Sequence, residues 1–118
     1  MTITRTPVAN YIDLDGTTNP NNVILSSPSA WEKLAGIYLD INDWAITHGG
    51  ATLDVWRKYE VDGTSGRDEN PTQYTAGADN PLIPIPDHEG DEGFTVLVKS
   101  SVNSTSRIYY RFIRYEES

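Results

Sequence analysis

The stretch Ala51-Thr-Leu-Asp-Val-Trp-Arg-Lys-Tyr-Glu-Val61, closed by Asp62-Gly63, decides how this chain folds. Ala51, Leu53, Val55, Arg57, Tyr59 and Val61 share one parity; Thr52, Asp54, Trp56, Lys58, Glu60 and Asp62 share the other. One face is mostly apolar and the other mostly charged. Successive side chains on a strand point to opposite faces, so a period of two marks a strand with one side on a core and one in water. Asp62-Gly63 supplies a turn, because glycine accepts the positive φ of a tight hairpin. The stretch is therefore expected to be a central strand of an antiparallel sheet. Arg57 interrupts its apolar face. Either the stem snorkels and the head meets an acid, or that end of the strand leaves the core.

Just upstream, Ile37, Leu39 and Ile41 alternate with Tyr38, Asp40 and Asn42, which predicts another strand. Trp44 and Ile46 continue the apolar sense after a change of parity at Asp43, as a bulge would allow. The turn Thr47-His-Gly-Gly50 then makes residues 37–41 and 51–61 hairpin neighbours. Ser29-Ala-Trp-Glu32 matches a capping box, but Gly36 limits any helix there to one turn. The rival is extended chain anchored by Trp31 and Leu34. Val23-Ile-Leu25 is a short strand, and residues 8–14 are a weakly alternating peripheral strand followed by turn formers from Asp15-Gly16 onward.

Downstream, residues 64–71 form a polar loop and Gln73-Tyr-Thr75 a short strand. Leu82-Ile-Pro-Ile-Pro86 is extended, but its prolines lack N–H donors, so it belongs at an edge. Asp87-His-Glu-Gly-Asp-Glu-Gly93 reads as an acidic turn. Phe94, Val96 and Val98 alternate with Thr95, Leu97 and Lys99, and Leu97 makes that strand interior. With a reversal at Asn103-Ser104, residues 94–100 and 107–115 form a terminal hairpin. Six to eight short strands with Gly- and Pro-rich turns and no long helix predict one all-β domain over residues 1–118. Its expected form is an antiparallel β-sandwich, the jelly-roll variety included.

Bulk properties bound the function. At 118 residues with 37% hydrophobic and 22% charged side chains, the chain has the composition of a globular domain. A chain of this size buries roughly two-thirds of its unfolded surface, enough for one modest core. Its formal charge is −8, from 17 acidic and 9 basic residues. Such a surface repels phosphate backbones, so no nucleic-acid partner is expected. There is no cysteine, which closes the disulfide and thiolate routes. Residues 1–7 hold no apolar signal core, and no apolar run approaches the ~20 residues needed to cross a bilayer. No membrane partner is expected, and the expected origin is the cytosol.

Several stretches invite a chemical reading. Asp13-Leu-Asp-Gly-Thr-Thr18 resembles the first motif of the haloacid-dehalogenase-like phosphatases, Asp-x-Asp-Gly-Thr after an apolar strand. Carried over, Asp13 would be the nucleophile and Asp15 the acid/base, with magnesium between them. That family needs a parallel sheet flanked by helices, which the pattern here does not provide, and the plain reading is an Asp-Gly turn. Asp87, Glu89, Asp91 and Glu92 are oxygen donors of the kind calcium prefers, without EF-hand spacing; the alternative is a solvated turn that guards an edge. His48 and His88 are forty residues apart and read as exposed loop histidines. No catalytic set, metal centre or cofactor is expected.

The aromatic residues say more. Trp31, Trp44, Trp56, Tyr38, Tyr59, Tyr109, Tyr110 and Tyr115 exceed what a small core can hide. Trp56 falls on the charged face of the central strand, where it either packs within the chain, covers a contact between subunits, or stacks on a sugar ring. Trp56, Tyr38, Tyr109 and Trp44 are the candidates for an interface or ligand contact. Arg107, Arg111 and Arg114 are read as edge guards.

The strand Gly50-Ala-Thr-Leu-Asp-Val-Trp-Arg-Lys-Tyr-Glu-Val-Asp-Gly-Thr64 is followed by an acidic, proline-containing loop. After it come Phe94-Thr-Val-Leu-Val-Lys-Ser100 and Ile108-Tyr-Tyr-Arg-Phe-Ile113. Over roughly the last two-thirds of the chain this pattern resembles small all-β virion proteins of tailed bacteriophages and archaeal viruses. The resemblance implies a non-enzymatic capsid decoration or accessory subunit in the virion. It would be a homo-oligomer, a trimer for preference, bound to the major capsid protein or another virion protein. The alternative is a carbohydrate- or receptor-binding β-sandwich module.

Overall fold

The computed structural model describes residues 2–17, 21–27, 32–59, 66–90 and 94–117. Alternation in the sequence becomes ten strands among them: β1 (Ile3–Asp13), β2 (Asn22–Ser27), β3 (Glu32–Asp40), β4 (Thr52–Tyr59), β5 (Arg67–Asp68), β6 (Thr72–Thr75), β7 (Leu82–Ile85), β8 (His88–Gly90), β9 (Phe94–Ser100) and β10 (Arg107–Glu117). One short helix, α1 (Asn42–Thr47), joins β3 to β4. Every strand pairing is antiparallel. The first sheet has the order β1-β10-β3-β7, with β8 also on β3; the second has β2-β9-β4-β5, with β6 also on β4.

The chain crosses between the sheets at most of its links. If β5 with β6, and β7 with β8, are each taken as one interrupted edge strand, eight positions remain. The sheet orders become 1-8-3-6 and 2-7-4-5, the paired Greek keys of a jelly roll. The expected sandwich is present, in its jelly-roll form.

The inward faces meet in one core. Leu34, Ile37, Leu39, Ile83 and Ile108 of the first sheet face Leu53, Val55, Val96 and Val98 of the second, all buried. Full burial of such a side chain contributes about 1.5–3 kcal/mol relative to exposure. Two irregularities let more residues turn inward than a period of two permits. Pairing between β2 and β9 shifts between Val23 and Leu25, so the consecutive residues Ile24 and Leu25 are both buried. Pairing between β10 and β3 shifts between Arg111 and Ile113, opposite Gly36. Gly36 has φ +59°, the left-handed conformation that a bulge of this kind needs. Leu34 thereby joins Ile37 and Leu39 in the core. At Gly36 an added Cβ would meet nothing within 4 Å, so the penalty of a side chain is purely backbone strain. Gly36→Ala is expected to cost about 1–2 kcal/mol and lower Tm by about 4–8 °C, read from thermal unfolding with the circular dichroism spectrum unchanged.

Several sequence expectations are corrected. Residues 37–41 and 51–61 are not hairpin neighbours, because β3 and β4 lie in different sheets; the same holds for β9 and β10. The connection after Ser100 crosses the sandwich instead of reversing. The parity change at Asp43 is not a bulge but the start of α1, in which Ala45 N–H donates to Ile41 O at 2.9 Å. Ile41 and Trp44 stand three apart and both are buried, which is helical spacing. Residues 88–90 of the supposed acidic turn pair with β3 as β8. The possible helical turn at residues 29–32 lies mostly outside the described residues, and Glu32 begins β3.

Candidate functional site

The expected contact residues do not converge. Trp44 is 0% exposed, so its reading as an interface residue is overturned. It closes one end of the sandwich, and its Nε1–H donates to Ser100 Oγ at 3.0 Å. Beside it, His48 Nε2 and Ser104 Oγ are 3.0 Å apart. These bonds fasten α1 to the crossover between β9 and β10. His88 is buried rather than an exposed loop residue; its ring stacks on Phe94 at 4.0 Å and lies 5.9 Å from Tyr59. The two histidines thus stand at opposite ends of β3, about 20 Å of strand apart.

Tyr38 and Tyr109, by contrast, share the outer face of the first sheet. Register sets the arrangement. Tyr11 on β1 is opposite Tyr109 on β10, which is opposite Asp40 on β3, which is opposite Leu82 on β7. The adjacent row is Ala9, Arg111, Tyr38 and Pro84. Inward partners of the same strands fill the core, so these eight residues point outward. Tyr11, Tyr38, Tyr109 and Leu82 are 43%, 40%, 41% and 51% exposed. Together they line a groove of about 750 Å³.

Arg107 fixes one end of this groove. Its guanidinium lies 3.7 Å from the centroid of Tyr11 and 6.0 Å from that of Tyr109, whose rings are 5.8 Å apart at 59°. Its Nε–H donates to Asp13 Oδ1 at 3.2 Å. The guanidinium is held above its ordinary pKa by hydrogen bonding to Tyr109 first and to Asp13 second. A cation held between two aromatic rings restricts their rotation, so the two tyrosines are presented in set orientations. Arg107 therefore does more than guard an edge.

Trp56 lies on the other side of the molecule, on the outer face of the second sheet. It is half-buried between Leu97 on β9 and the segment 66–71, and its Nε1–H donates to Asp68 Oδ1 at 3.0 Å. Leu97, one strand over, is only 8% exposed, which agrees with the interior position of β9. Arg57, one residue along β4, faces inward and meets an acid: Nε–H and Nη2–H donate to the two carboxylate oxygens of Glu69, each at 2.7 Å. Those bonds raise its pKa against the opposing effect of burial.

Asp13 is engaged with Arg107, and Asp15 N–H donates to Asn22 Oδ1 at 3.0 Å. The parallel sheet that the phosphatase motif requires is not what these strands form. Asp87 Oδ1 accepts the Gly36 N–H at 3.2 Å. The side chain of Glu89, and Asp91 and Glu92, lie outside the described residues. Among the described residues no three His, Asp or Glu side chains converge as a metal site, and no helix is long and apolar enough to cross a membrane.

Tyr11 and Leu82 were not singled out from the sequence, and Arg107 was read there only as an edge guard. The signal was their outward parity, but it gains meaning only once β1, β10, β3 and β7 are known to be neighbours in that order. The site and fold define an antiparallel jelly-roll sandwich with a tyrosine-lined outer groove. No protein-family model, curated protein or solved structure matches the chain.

Proposed function

We propose that the protein is a non-enzymatic adhesive subunit of a virus particle, working through the outer face of the first sheet. The observation that carries this reading is the exposed in-register row Tyr11, Tyr109 and Leu82 with Tyr38 beside it, in which Arg107 packs on the rings of Tyr11 and Tyr109. Tyrosine and arginine are enriched at the hot spots of protein-protein contacts: tyrosine buries a large area at little entropic cost, and arginine adds a planar fork of hydrogen-bond donors. Four strands spaced about 4.8 Å apart, with the two longest about 36 Å in length, give this face about 600 Å². Covering it on both partners would bury about 1,200 Å², the lower end of a specific interface. The strand pattern of the sequence resembles that of small virion proteins, and jelly rolls recur in capsid proteins, which supports decoration of a shell by a self-associating subunit.

The test is mass in solution by light scattering, together with co-sedimentation on purified capsids. The wild-type chain is expected to form an oligomer, a trimer for preference, or to bind the shell. The Tyr38→Ala/Tyr109→Ala pair is expected to weaken that association by at least tenfold without lowering Tm by more than a few degrees. A strict monomer that also ignores capsids overturns the reading.

A further inference from the structure

We propose that the shallow pocket around Trp56, on the outer face of the second sheet, binds a neutral glycan. The pocket has a volume of about 270 Å³; Trp56 and Pro71 line it together with the polar Asn21, Asp54, Asp68, Glu69 and Lys99. Its position is fixed by strand register. Asp54 is opposite Lys99, Trp56 is opposite Leu97, and Asp68 is opposite Lys58. The hydrogen bond from Trp56 Nε1 to Asp68 locks the indole in one orientation, at 3.0 Å. Asp54 is steadied more loosely by Gln73 Nε2, at 3.4 Å.

The chemistry of the walls selects the ligand class. A protein hot spot wants an aromatic anchor ringed by apolar groups that exclude water. Here the indole has the apolar Pro71 on one wall and Leu97 on the neighbouring strand, and the rest of its rim is carboxylate, amide and ammonium. Those groups suit a molecule with one apolar C–H face for the ring and hydroxyls around its rim, which describes a pyranose. The pocket lies just below the roughly 300 Å³ at which pockets for drug-sized ligands begin, so it holds one or two sugar units and not a length of polypeptide. Charge narrows the class further. With the Glu69 charge met by Arg57, Asp54 and Asp68 still outnumber Lys99 on the walls, and the whole chain carries −8, so sialylated, sulfated or uronic sugars are repelled. This site is independent of the tyrosine groove, from which the whole thickness of the sandwich separates it. A subunit seated by one face would display the other outward.

The experiment is binding of the full chain to an array of neutral oligosaccharides built from hexoses and N-acetylhexosamines, followed by titration of the strongest binder by isothermal calorimetry. The wild type is expected to bind, and Trp56→Ala to bind at least tenfold more weakly while keeping its oligomeric mass. If Trp56→Ala does not fold, Lys99→Ala tests the same rim, and a severalfold loss of affinity is expected. The proposal is overturned if no neutral glycan binds, if only acidic glycans bind, or if the folded variant binds as the wild type does. Loss of glycan binding on Tyr109→Ala instead of Trp56→Ala overturns it as well. Failure of capsid binding or self-association, with glycan binding intact, would strike only the adhesive role of the tyrosine face.

Discussion

Trp44→Ala is expected to lower the free energy of unfolding by about 3–5 kcal/mol, the largest effect of any single change considered. Trp44 is fully buried among the apolar residues of both sheets. Removing the indole leaves a cavity that strands cannot close without breaking register, so the loss of transfer energy is compounded by lost packing. A second loss follows from the hydrogen bond. Ser100 Oγ accepts from Trp44 at 3.0 Å and from the Val102 N–H at 3.3 Å, and donates to Val102 O at 2.8 Å, so the substitution removes the shorter of its two incoming bonds, a smaller addition to the packing loss. Against a total stability of about 5–15 kcal/mol for a domain, most of the margin would go. Urea denaturation should show the midpoint falling steeply with the slope little changed. Trp44→Phe keeps much of the volume and is expected to cost about half as much.

Glu69→Ala is expected to cost about 2 kcal/mol, with Tm falling by about 8–10 °C. Glu69 engages Arg57 through backbone and side chain alike. Its N–H donates to Arg57 O at 2.8 Å, and its carboxylate takes the two guanidinium bonds. The Arg57 N–H also points to Glu69 Oε1, at 3.2 Å. Arg57 is 19% exposed and Glu69 35%, so water screens the pair in part and the cost stays below that of a fully buried one. The truncation strands a guanidinium that faces the core side of β4 and is stacked near Tyr59 at 5.2 Å. A double-mutant cycle with Arg57→Ala should give a coupling of about 1–2 kcal/mol. A coupling near zero would mean that the fork does nothing for stability.

Parity was the part of the fold that the sequence carried well. The alternation in residues 51–61 correctly put Leu53 and Val55 inside and Asp54 and Lys58 outside. Leu97 rightly marked β9 as interior, and the prolines around Ile83 and Ile85 rightly marked β7 as an edge. Partners were another matter. Period two states which face of a strand is buried but not which sheet it joins, and neighbouring strands pair by default in hairpins. In a jelly roll that default fails: β3 with β4, and β9 with β10, cross the core instead of pairing. The site suffered from the same gap. Tyr38 and Tyr109 stand out in the sequence only because the aromatic residues exceed what a small core can hide, yet Tyr11, paired with Tyr109 across the β1–β10 ladder, is nearly a hundred residues from it in sequence. Trp44 was misread because a six-residue helix is too short to show a full amphipathic repeat. His88 was misread because the strand it sits on is only three residues long.

The placement of β10 between β1 and β3 governs the order of assembly. During synthesis β1 emerges first and β10 last of the ten, so β1 waits without its partner while the eight strands between them are made. Closing a loop of that length before any ladder bond forms is slow, and domains dominated by such distant pairings fold in about milliseconds to seconds. The tyrosine row cannot exist until β10 slots in, since it is drawn from the strands on both sides of it. An incomplete chain therefore cannot present that face: Tyr11 has neither Tyr109 beside it nor Arg107 over its ring until β10 is in place.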